Sequence, residues 1–451
     1  MKIVVIGDGK VGSTIVEHTA KENHEVTIVD RNPKVVEQMV NQFDVMGICG
    51  NGASYETQKE ANVDKADIVI AATSSDEVNI LSCVVAKNLG AKATIARVRN
   101  YEYSTQIDLM RHNLGIEMII NPELEAATEI MNIINFPEAL KVDMFGNGKI
   151  DLVELYVEDN SLLVGQTLSS LFSKYRVSLL VCAVQRGEEV FIPSGNFELD
   201  ARDKIHVVAS RQNIRLFLDK LGFVKRKIKD ILIIGGGKVA LYLASNLIKN
   251  KYNVKIIERN YDKCLELSDL LPKAAIIHGD GADQELLQEE GIKDIDAIVS
   301  LTGSDEENII ISMYAHKQNA HKVIAKINKA SLVGLLETVG VASVISPKEV
   351  TSSRILGYVR ATNNRRGSNV EKLYKLINNK VEAVEFIAKS NSKLLNIPLK
   401  DLKLKSNILI AAIIRNDETI IPGGNTIIQS GDSVIVICKD YTLYELNDVM
   451  E

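Results

Sequence analysis

The chain has 451 residues, of which 46% are hydrophobic and 25% charged, and its formal net charge is −6 at pH 7. This length exceeds what one hydrophobic core can hold and indicates three or four domains. The negative charge does not support nucleic-acid binding, and the longest apolar runs fall short of the roughly 18 residues that a membrane span needs. Five scattered cysteines without a CxxC pair indicate free thiols. Because the first strand pattern begins at Lys2, without room for a signal peptide, we expect a cytoplasmic protein.

The opening stretch predicts a nucleotide-binding unit. An apolar run ends at Gly7, further glycines follow at Gly9 and Gly12, and a second apolar run ends on Asp30. The first glycine permits a tight turn, the second lets backbone amides approach a pyrophosphate, and the third lets helix and strand pack closely. An acid about 20 residues after the first glycine can bind the ribose hydroxyls of adenosine. The alternative is a domain of the same fold that has lost its ligand.

The second half of the chain repeats the first. The stretch from Lys229 repeats the opening, with Gly235 and Gly237 as its glycines, Ala240 in place of the third glycine, and Glu258 as the acid. Matching blocks continue in the same order: GNGAS with GDGAD, ADIVIAATSSDEVNIL with DAIVSLTGSDEENIII, and IPSG with IPGG. Because several blocks recur in order at a period of about half the chain, we interpret the protein as a tandem duplication.

Within each copy, apolar runs and helical segments alternate over the first part, which predicts a parallel sheet covered on both faces. The predicted strands of the first copy are Ile3–Ile6, Glu25–Val29, Val45–Cys49, Ile68–Ala72, Thr94–Val98 and Met118–Ile120. The rest of each copy has short alternating runs separated by polar turns, typical of an antiparallel sheet. We therefore predict an α/β protein with two Rossmann-like parallel-sheet domains, each followed by a small α+β domain, at residues 1–135, 140–222, 229–358 and 369–451.

Two features of this architecture have more than one interpretation. The helical stretch after Pro122 is either a crossover or dimer-forming element or a simple packed linker helix. The recurring pattern IPxG followed by an aspartate, Asp203 in one copy and Asp432 in the other, has the turn residues of a hairpin and predicts a structural role. A small-ligand site at this pattern is the alternative.

The order of these blocks resembles the TrkA family, whose members are built from tandem RCK domains, each a KTN domain followed by a TrkA-C domain. The resemblance covers nearly the whole chain. It implies a non-catalytic regulatory subunit of a potassium uptake system that senses a nucleotide and gates a TrkH-like membrane channel subunit by a conformational change. The implied ligand is NAD(H), with ATP/ADP as the alternative. The implied assembly is a homo-oligomer, a tetramer or otherwise a dimer, on the inner face of the cell membrane.

The resemblance also implies nucleotide-binding positions in the first copy. The phosphates would lie against the glycine loop and Arg97, and the adenosine against residues after the second and third strands. Residues after the fourth strand would lie at the sheet edge where open α/β sheets place ligands. Glu123 resembles a position near a terminal phosphate. The implied binding residues are Gly7, Asp8, Gly9, Lys10, Val11, Gly12, Asp30, Arg31, Asn51, Thr73, Asp76, Asn79 and Arg97.

The second copy differs where the phosphates would lie. Lys326 takes the place of Arg97, and Lys348 takes the place of Glu123. We therefore expect two sites with different preferences, the first being the better NAD(H) candidate, and an acid at the end of the second strand disfavours NADP at both. The implied binding residues are Gly235, Gly237, Lys238, Val239, Glu258, Asp280, Thr302 and Lys326.

The alternative function is that of an NAD-dependent dehydrogenase with an unrecognised substrate site. Such an enzyme needs an acid/base residue delivered beside the nicotinamide. The seven histidines show no pairing with a serine, aspartate or cysteine typical of catalysis, no HExxH-like ligand spacing occurs, and no GxxxxGK[ST] loop is present. The sequence therefore predicts a nucleotide sensor without catalytic or metal-binding residues.

Overall fold

The computed structural model describes residues 1–100, 103, 111, 113–222, 228–338, 343–363, 370–377 and 380–451. Four sheets alternate along this described part of the chain, a six-stranded parallel sheet followed by a five-stranded antiparallel sheet, twice. This arrangement confirms the predicted fold class. The chain divides into two compact units, one formed by Met1–Ala127 with Ser346–Val359 and the other by Thr128–Ile345 with Arg360–Glu451.

The first unit contains the first parallel sheet. Its strands are β1 (Lys2–Ile6), β2 (Glu25–Asp30), β3 (Met46–Cys49), β4 (Ile68–Ala71), β5 (Ala93–Arg97) and β6 (Met118–Ile120), in the spatial order β3-β2-β1-β4-β5-β6. Each bound lies within one residue of the predicted strand. The order reverses between β1 and β4, and ligands of such sheets bind beyond the carboxyl ends of the strands at that point. The helices are Lys10–Lys21, Pro33–Gln42, Tyr55–Glu60, Asp76–Leu89 and the start of Pro122–Asn135, with a short 3-10 helix at Val63–Lys65.

A helix from the second copy completes the core of this first unit. Ile355 and Val359, on the helix Pro347–Asn363, are buried in the cluster that contains Ile3 and Ile15. Burial of one such side chain contributes about 1.5–3 kcal/mol. The helix Pro347–Asn363 is therefore a crossover element, because it follows the second parallel sheet in the chain and packs in the core of the first.

The second unit begins with the first antiparallel sheet. Its strands are β7 (Lys141–Phe145), β8 (Ile150–Tyr156), β9 (Leu180–Arg186), β10 (Glu189–Phe191) and β11 (Lys204–Ala209), in the order β10-β9-β11-β8-β7. Its helices are Leu168–Tyr175 and Arg211–Lys220, with a 3-10 turn at Gly146–Gly148. These elements surround a core that includes Phe136, Leu155 and Phe217.

The second parallel sheet repeats the first. Its strands are β12 (Asp230–Ile234), β13 (Asn253–Glu258), β14 (Ala275–His278), β15 (Ala297–Ser300), β16 (Lys322–Lys326) and β17 (Ser343–Ile345), in the order β14-β13-β12-β15-β16-β17. The helices are Lys238–Lys249, Tyr261–Leu270, Gln284–Glu289, Asp305–Lys317 and Val333–Thr338, with a 3-10 turn at Ala330–Leu332. The equal strand order of the two parallel sheets reflects the duplication.

The second antiparallel sheet packs on the first within this unit. Its strands are β18 (Val370–Leu376), β19 (Val381–Ile387), β20 (Ile408–Arg415), β21 (Glu418–Ile420) and β22 (Ser433–Lys439), with 3-10 helices at Leu399–Asp401 and Leu446–Val449. Buried residues of both sheets, among them Phe145, Cys182, Ala383 and Ile435, form one cluster. The inward faces of the two sheets therefore share a hydrophobic core, as in a β-sandwich.

The aspartate of the IPxG pattern has the structural role that the sequence predicts. Both carboxylate oxygens of Asp203 accept hydrogen bonds from Arg186 at 2.8 Å, and the backbone N–H of Asp200 donates to the same carboxylate. Asp432 accepts from Arg415 in the same way, at 2.9 and 2.7 Å. These buried carboxylates fix the loop that precedes the last strand of each antiparallel sheet.

Candidate nucleotide-binding sites

The glycine loop of the first copy is built for close approach of backbone atoms. Gly7 has a φ of +94°, and a Cβ at this position would lie 2.7 Å from backbone atoms of Thr73. A Cβ on Gly12 would lie 2.0 Å from the carbonyl oxygen of Gly7. The helix Lys10–Lys21 begins after its N-cap residue Gly9, which has no side chain that could accept from the first N–H groups. The first N–H groups of the helix therefore point beyond the strand ends, where an anion can accept from them.

The acid at the end of β2 is held by the backbone of the same loop. The carboxylate of Asp30 accepts from the N–H of Asp8 at 2.9 Å and from the N–H of Asn32 at 2.8 Å. Arg31 beside it is exposed, and Asn51 lies in the turn after β3, where its side chain accepts from Ala53. These predicted adenosine contacts lie at the ends of neighbouring strands β2 and β3, with Asp30 and Cys49 in register.

Two predicted binding residues are engaged in bonds within the protein. The side chain of Asn79 accepts from the N–H of Thr73 at 2.8 Å and donates to the carbonyl of Arg97 at 2.9 Å. The carboxylate of Asp76 accepts from the backbone N–H groups of Arg99 and Asn100. Asp76 and Asn79 are both buried. Their observed contacts join the loop after β4 to the end of β5, a positioning role that the sequence alone does not reveal.

The opposite wall of the first site contains a half-buried cation next to a half-buried carboxylate. Arg97 Nη2 lies 3.9 Å from Glu123 Oε1, and Arg97 Nη1 donates to the carbonyl of Thr73 at 3.3 Å. A Cβ placed on Gly9 would be 3.9 Å from Arg97 Nη1, so the guanidinium borders the glycine loop directly. Burial, and secondarily the charge of Arg99, lower the pKa of Arg97. The structure thus brings Gly9, Arg97 and Glu123 together.

Three polar atoms of the glycine loop and of the Arg97–Glu123 wall are buried without a hydrogen-bond partner. They are Asp8 Oδ1, Arg97 Nε and Glu123 Oε2. Burial, and secondarily the neighbouring Asp30, raise the pKa of Asp8 to about 6. Buried polar atoms are normally satisfied, so these atoms of the glycine loop and of the Arg97 wall indicate a site that a polar ligand completes. A cradle of backbone donors with one arginine fits the phosphates of a nucleotide.

The second copy has the same loop with different side chains at its edge. Gly235 has a φ of +100°, and Glu258 accepts from the N–H groups of Gly236 and Asn260, both at 2.7 Å. Lys326 Nζ donates to the carbonyl of Leu301 at 3.2 Å. The helix Lys238–Lys249 begins after Gly237, and Val239 is buried in the core.

Two further predicted residues of the second site lie in turns. Thr302 donates its N–H to Asn308 at 2.8 Å, which repeats the bond between Thr73 and Asn79. Asp280 Oδ1 accepts from the N–H of Ala282 at 2.9 Å, within the turn after β14. The predicted residues of the second copy therefore also lie around the carboxyl ends of their sheet.

Alignment of the two copies pairs Lys348 with Glu123, but the charge of Lys348 acts on residues of the first copy. It belongs to the helix Pro347–Asn363, and its charge is one cause of the lowered pKa of Glu17, after the hydrogen bond from Lys21. The next residue, Glu349, has Oε2 3.9 Å from His18 Nε2. The charge of Lys348 therefore acts on the helix that follows the first glycine loop, the helix that Glu349 approaches.

The described part of the chain has neither a cluster of metal-binding side chains nor a membrane-spanning helix. Among these residues, the histidines, cysteines and carboxylates form no group of three or more that could hold a metal ion. The described helices also include none that is long and apolar enough to cross a membrane.

Comparison with known domain families identifies the chain. The TrkA-N domain matches residues 3–122 and 231–347, and the TrkA-C domain matches residues 152–222 and 383–450. The chain belongs to the TrkA family. This result confirms the predicted resemblance and the tandem repeat.

Relatives in the TrkA family match over almost their whole length. The Trk system potassium uptake protein TrkA of Halomonas elongata is 34% identical over 446 residues, which cover 98% of this chain and 96% of that protein. The TrkA homolog 1 of Methanosarcina mazei is 33% identical and covers 97% of each chain. The TrkA protein of Haemophilus influenzae is 30% identical and covers 98% of this chain.

Solved structures show the same fold. The crystal structure of the GsuK RCK domain has a TM-score of 0.64 and 18% identity, covering 97% of this chain and 92% of that one. The structure of the GsuK channel bound to NAD has a TM-score of 0.63 and 18% identity, covering 97% of this chain and 77% of that one. The likeness to these structures establishes the RCK fold of this TrkA-family chain.

Proposed function

We propose that this TrkA-family chain is a cytoplasmic, nucleotide-sensing regulatory subunit of a potassium uptake system, with NAD(H) as its ligand and ATP/ADP as the alternative. The observation that carries the proposal is the glycine loop beside the half-buried Arg97 and Glu123, whose buried Nε and Oε2 atoms have no hydrogen-bond partner and could contact a phosphate-bearing ligand. The names of the relatives support the potassium uptake role. The structure of the GsuK channel bound to NAD, which has the same fold, supports the choice of ligand.

In this proposal each part of the first site has one task. The N–H groups at the start of the helix Lys10–Lys21 and the guanidinium of Arg97 hold the phosphates. The carboxylate of Asp30 accepts from the ribose hydroxyls of adenosine. Thr73 and Glu123 border the part of the ligand beyond the second phosphate, where NAD(H) and ATP differ. NAD(H) supplies no chemistry here, since we propose a non-catalytic role.

The ligand acts in this proposal by shifting a conformational equilibrium. A ligand moves a protein between two arrangements only to the extent that it binds one of them better. The controlled partner is a TrkH-like membrane channel subunit, and the chain assembles as a tetramer, or otherwise a dimer. The names of Trk system relatives support the partner, and sedimentation of the purified chain would distinguish the two assemblies.

The proposal is tested by calorimetric titration of the full chain with NADH, NAD+, ATP and ADP, with and without Mg²⁺. The expected result is saturable binding without turnover of any nucleotide, and the order of affinities names the signal. Steady oxidation of NADH by a metabolite would overturn the proposal in favour of a dehydrogenase. Absence of binding by all four nucleotides would overturn it in favour of a structural role.

Loss of the ribose acid should weaken every adenine nucleotide at the first site. We expect Asp30→Ala to raise the Kd for NADH, ATP and ADP by a similar factor of roughly 10 to 100, because a charge-assisted hydrogen bond contributes about 1.5–3 kcal/mol. The measurement is calorimetric titration in the Glu258→Ala background, which isolates the first site. Asp67→Ala, which removes a carboxylate bonded to Lys92 at the opposite, amino-terminal ends of the strands, is the control and should leave the Kd unchanged. Weakening of only one nucleotide would contradict a shared ribose contact.

Binding at the first site should also depend on pH through Asp8. The pKa of Asp8 is about 6, raised mainly by burial. An ionised Asp8 repels an incoming phosphate and a protonated one does not, so affinity should be highest below the pKa and fall several-fold as the pH rises to about 8. Asp8→Asn should bind with the affinity of the protonated form across this range. Equal pH profiles for both proteins, measured by titration in the Glu258→Ala background, would contradict this role.

A further inference from the structure

The second site contains an exposed aromatic pair next to its ribose acid. Tyr261 begins the helix Tyr261–Leu270 and is 60% exposed, and His278 ends β14 and is also exposed. Their ring centroids are 5.4 Å apart and the ring planes meet at 77°. An edge-to-face pair on the surface of a protein leaves a ring face open to solvent, where a planar group can stack.

The topology places this pair where the base of a bound nucleotide lies. Glu258 ends β13, and His278 is its partner in register on β14. In the order β14-β13-β12-β15, the adenosine half of a dinucleotide lies over the strands on the β13 and β14 side of the reversal point. A base attached to a ribose held by Glu258 therefore extends toward the end of β14, beside His278 and Tyr261.

The hydrogen bond of His278 gives the aromatic pair a preference for one kind of base. His278 Nε2 lies 3.1 Å from the carbonyl oxygen of Arg259. A carbonyl oxygen can only accept, so Nε2 carries the proton, and in the neutral ring Nδ1 is an acceptor. The exocyclic amino group of adenine is a donor, whereas hypoxanthine and guanine have a carbonyl oxygen at that position.

The first copy does not have this pair. The residues that correspond to Tyr261 and His278 are Pro33 and Cys49. Cys49 is exposed, with Sγ 3.6 Å from the carbonyl of Arg31, so it lies at the matching place beside Asp30. The distinctive groups of the first site, Arg97 and Glu123, therefore lie on its phosphate side. Those of the second site, Tyr261 and His278, lie on its base side.

We propose that Tyr261 and His278 form the base-binding wall of the second site and select adenine, Tyr261 by stacking and His278 by accepting from the amino group. This inference rests on the proposed nucleotide-binding function and adds the residues that give the second site its specificity. The wall makes the second site a receptor for any adenine nucleotide, with recognition concentrated on the base.

The chain itself provides separate reporters for the two sites. It contains no tryptophan, so Tyr261→Trp introduces a single fluorophore that keeps an aromatic ring at the wall. Cys49 is the exposed cysteine, and Cys83, Cys182, Cys264 and Cys438 are buried, so a thiol reagent reports on the first site. Tyr156→Trp places the same fluorophore at a half-exposed position of the first antiparallel sheet as the control.

ADP should quench the fluorescence of the Tyr261→Trp protein saturably and leave that of the Tyr156→Trp protein unchanged. In calorimetric titrations in the Asp30→Ala background, we expect Tyr261→Ala to raise the Kd for ADP roughly tenfold and Tyr261→Phe to raise it little, since stacking needs the ring. His278→Ala should weaken ADP and leave inosine diphosphate unchanged. Equal loss for both diphosphates would overturn the role of His278 in selection.

The outcomes separate this inference from the proposed function. If the Asp30→Ala/Tyr261→Ala protein binds ADP as well as the Asp30→Ala protein does, the proposal of an aromatic wall is wrong and the proposed function stands. If ADP protects Cys49 but never quenches the tryptophan at position 261, the second site does not bind the base at this wall, and the inference is overturned. If no nucleotide binds either site, the proposed function fails first.

Discussion

Replacing Gly7 with alanine should abolish nucleotide binding at the first site and destabilise the first compact unit by about 2–5 kcal/mol. At a φ of +94°, a side chain is strained in any surroundings. The new Cβ would also lie 2.7 Å from the backbone N and Cα of Thr73, atoms that cannot rotate away. Relief requires β1 and the loop after β4 to separate, which opens the cradle. Calorimetric titration in the Glu258→Ala background and scanning calorimetry measure the two effects.

A matched control separates backbone strain from the close contact. Gly115, in the same unit, has a φ of +66°, and the nearest atoms to a Cβ there are those of the flexible Lys87 side chain, at 3.4 Å or more. We expect Gly115→Ala to cost about 1 kcal/mol, the strain alone, and to bind nucleotides normally. Binding of nucleotide by Gly7→Ala with the parent affinity would show that the loop does not need the close approach of its backbone to Thr73.

Removing the buried cation Arg360 should strongly destabilise the second unit. Arg360 is 1% exposed, and its two Nη atoms donate to the carboxylate of Glu382 on β19 at 2.6 and 2.9 Å. Breaking a buried pair on one side leaves the other charge uncompensated, at a cost of about 3–5 kcal/mol. We therefore expect Arg360→Met to lower the melting temperature of the second unit by several degrees in scanning calorimetry, with the first unit less affected.

Two further variants test the reason for this loss. The double variant Arg360→Met/Glu382→Leu removes both charges and should recover much of the lost stability, because apolar replacements of a buried pair are often neutral. Arg202→Met breaks the exposed pair with Asp159 and should leave the melting temperature nearly unchanged, because water screens an exposed ion pair. A double variant as unstable as Arg360→Met would mean that packing of the long side chain, rather than its charge, stabilises the unit.

The fold of the parallel domains could be predicted because its signals are local. Ile3–Ile6 and the matching strand Asp230–Ile234 are buried on both faces, so each is an apolar run bounded by a glycine. Their turns need Gly7 and Gly235 because the backbone there takes a positive φ. The bounds of the strands, their alternation with helices and the duplication all follow from such short-range patterns.

The roles of several site residues depend on partners that are distant in sequence. Asp76 and Asn79 have the pattern of ligand contacts, yet they bond to the backbone at Arg97, Arg99 and Asn100, on a neighbouring strand end. Lys348 aligns with Glu123, but in the folded chain its charge acts on Glu17, in the helix after the first glycine loop. Alignment of the copies indicates which position a residue occupies in its own repeat and does not show which residues fold against it.

The sequence by itself determined the class of fold, the tandem repeat, the family and the positions of both glycine loops, because each depends on the order and periodicity of nearby residues. Only the tertiary structure decided that Ile355 and Val359 complete the first core, that Arg97 meets Glu123 beside Gly9, and that Tyr261 pairs with His278. These contacts join segments far apart along the chain. Their formation depends on which surfaces the folded sheets bring together, and neither periodicity nor spacing encodes that choice.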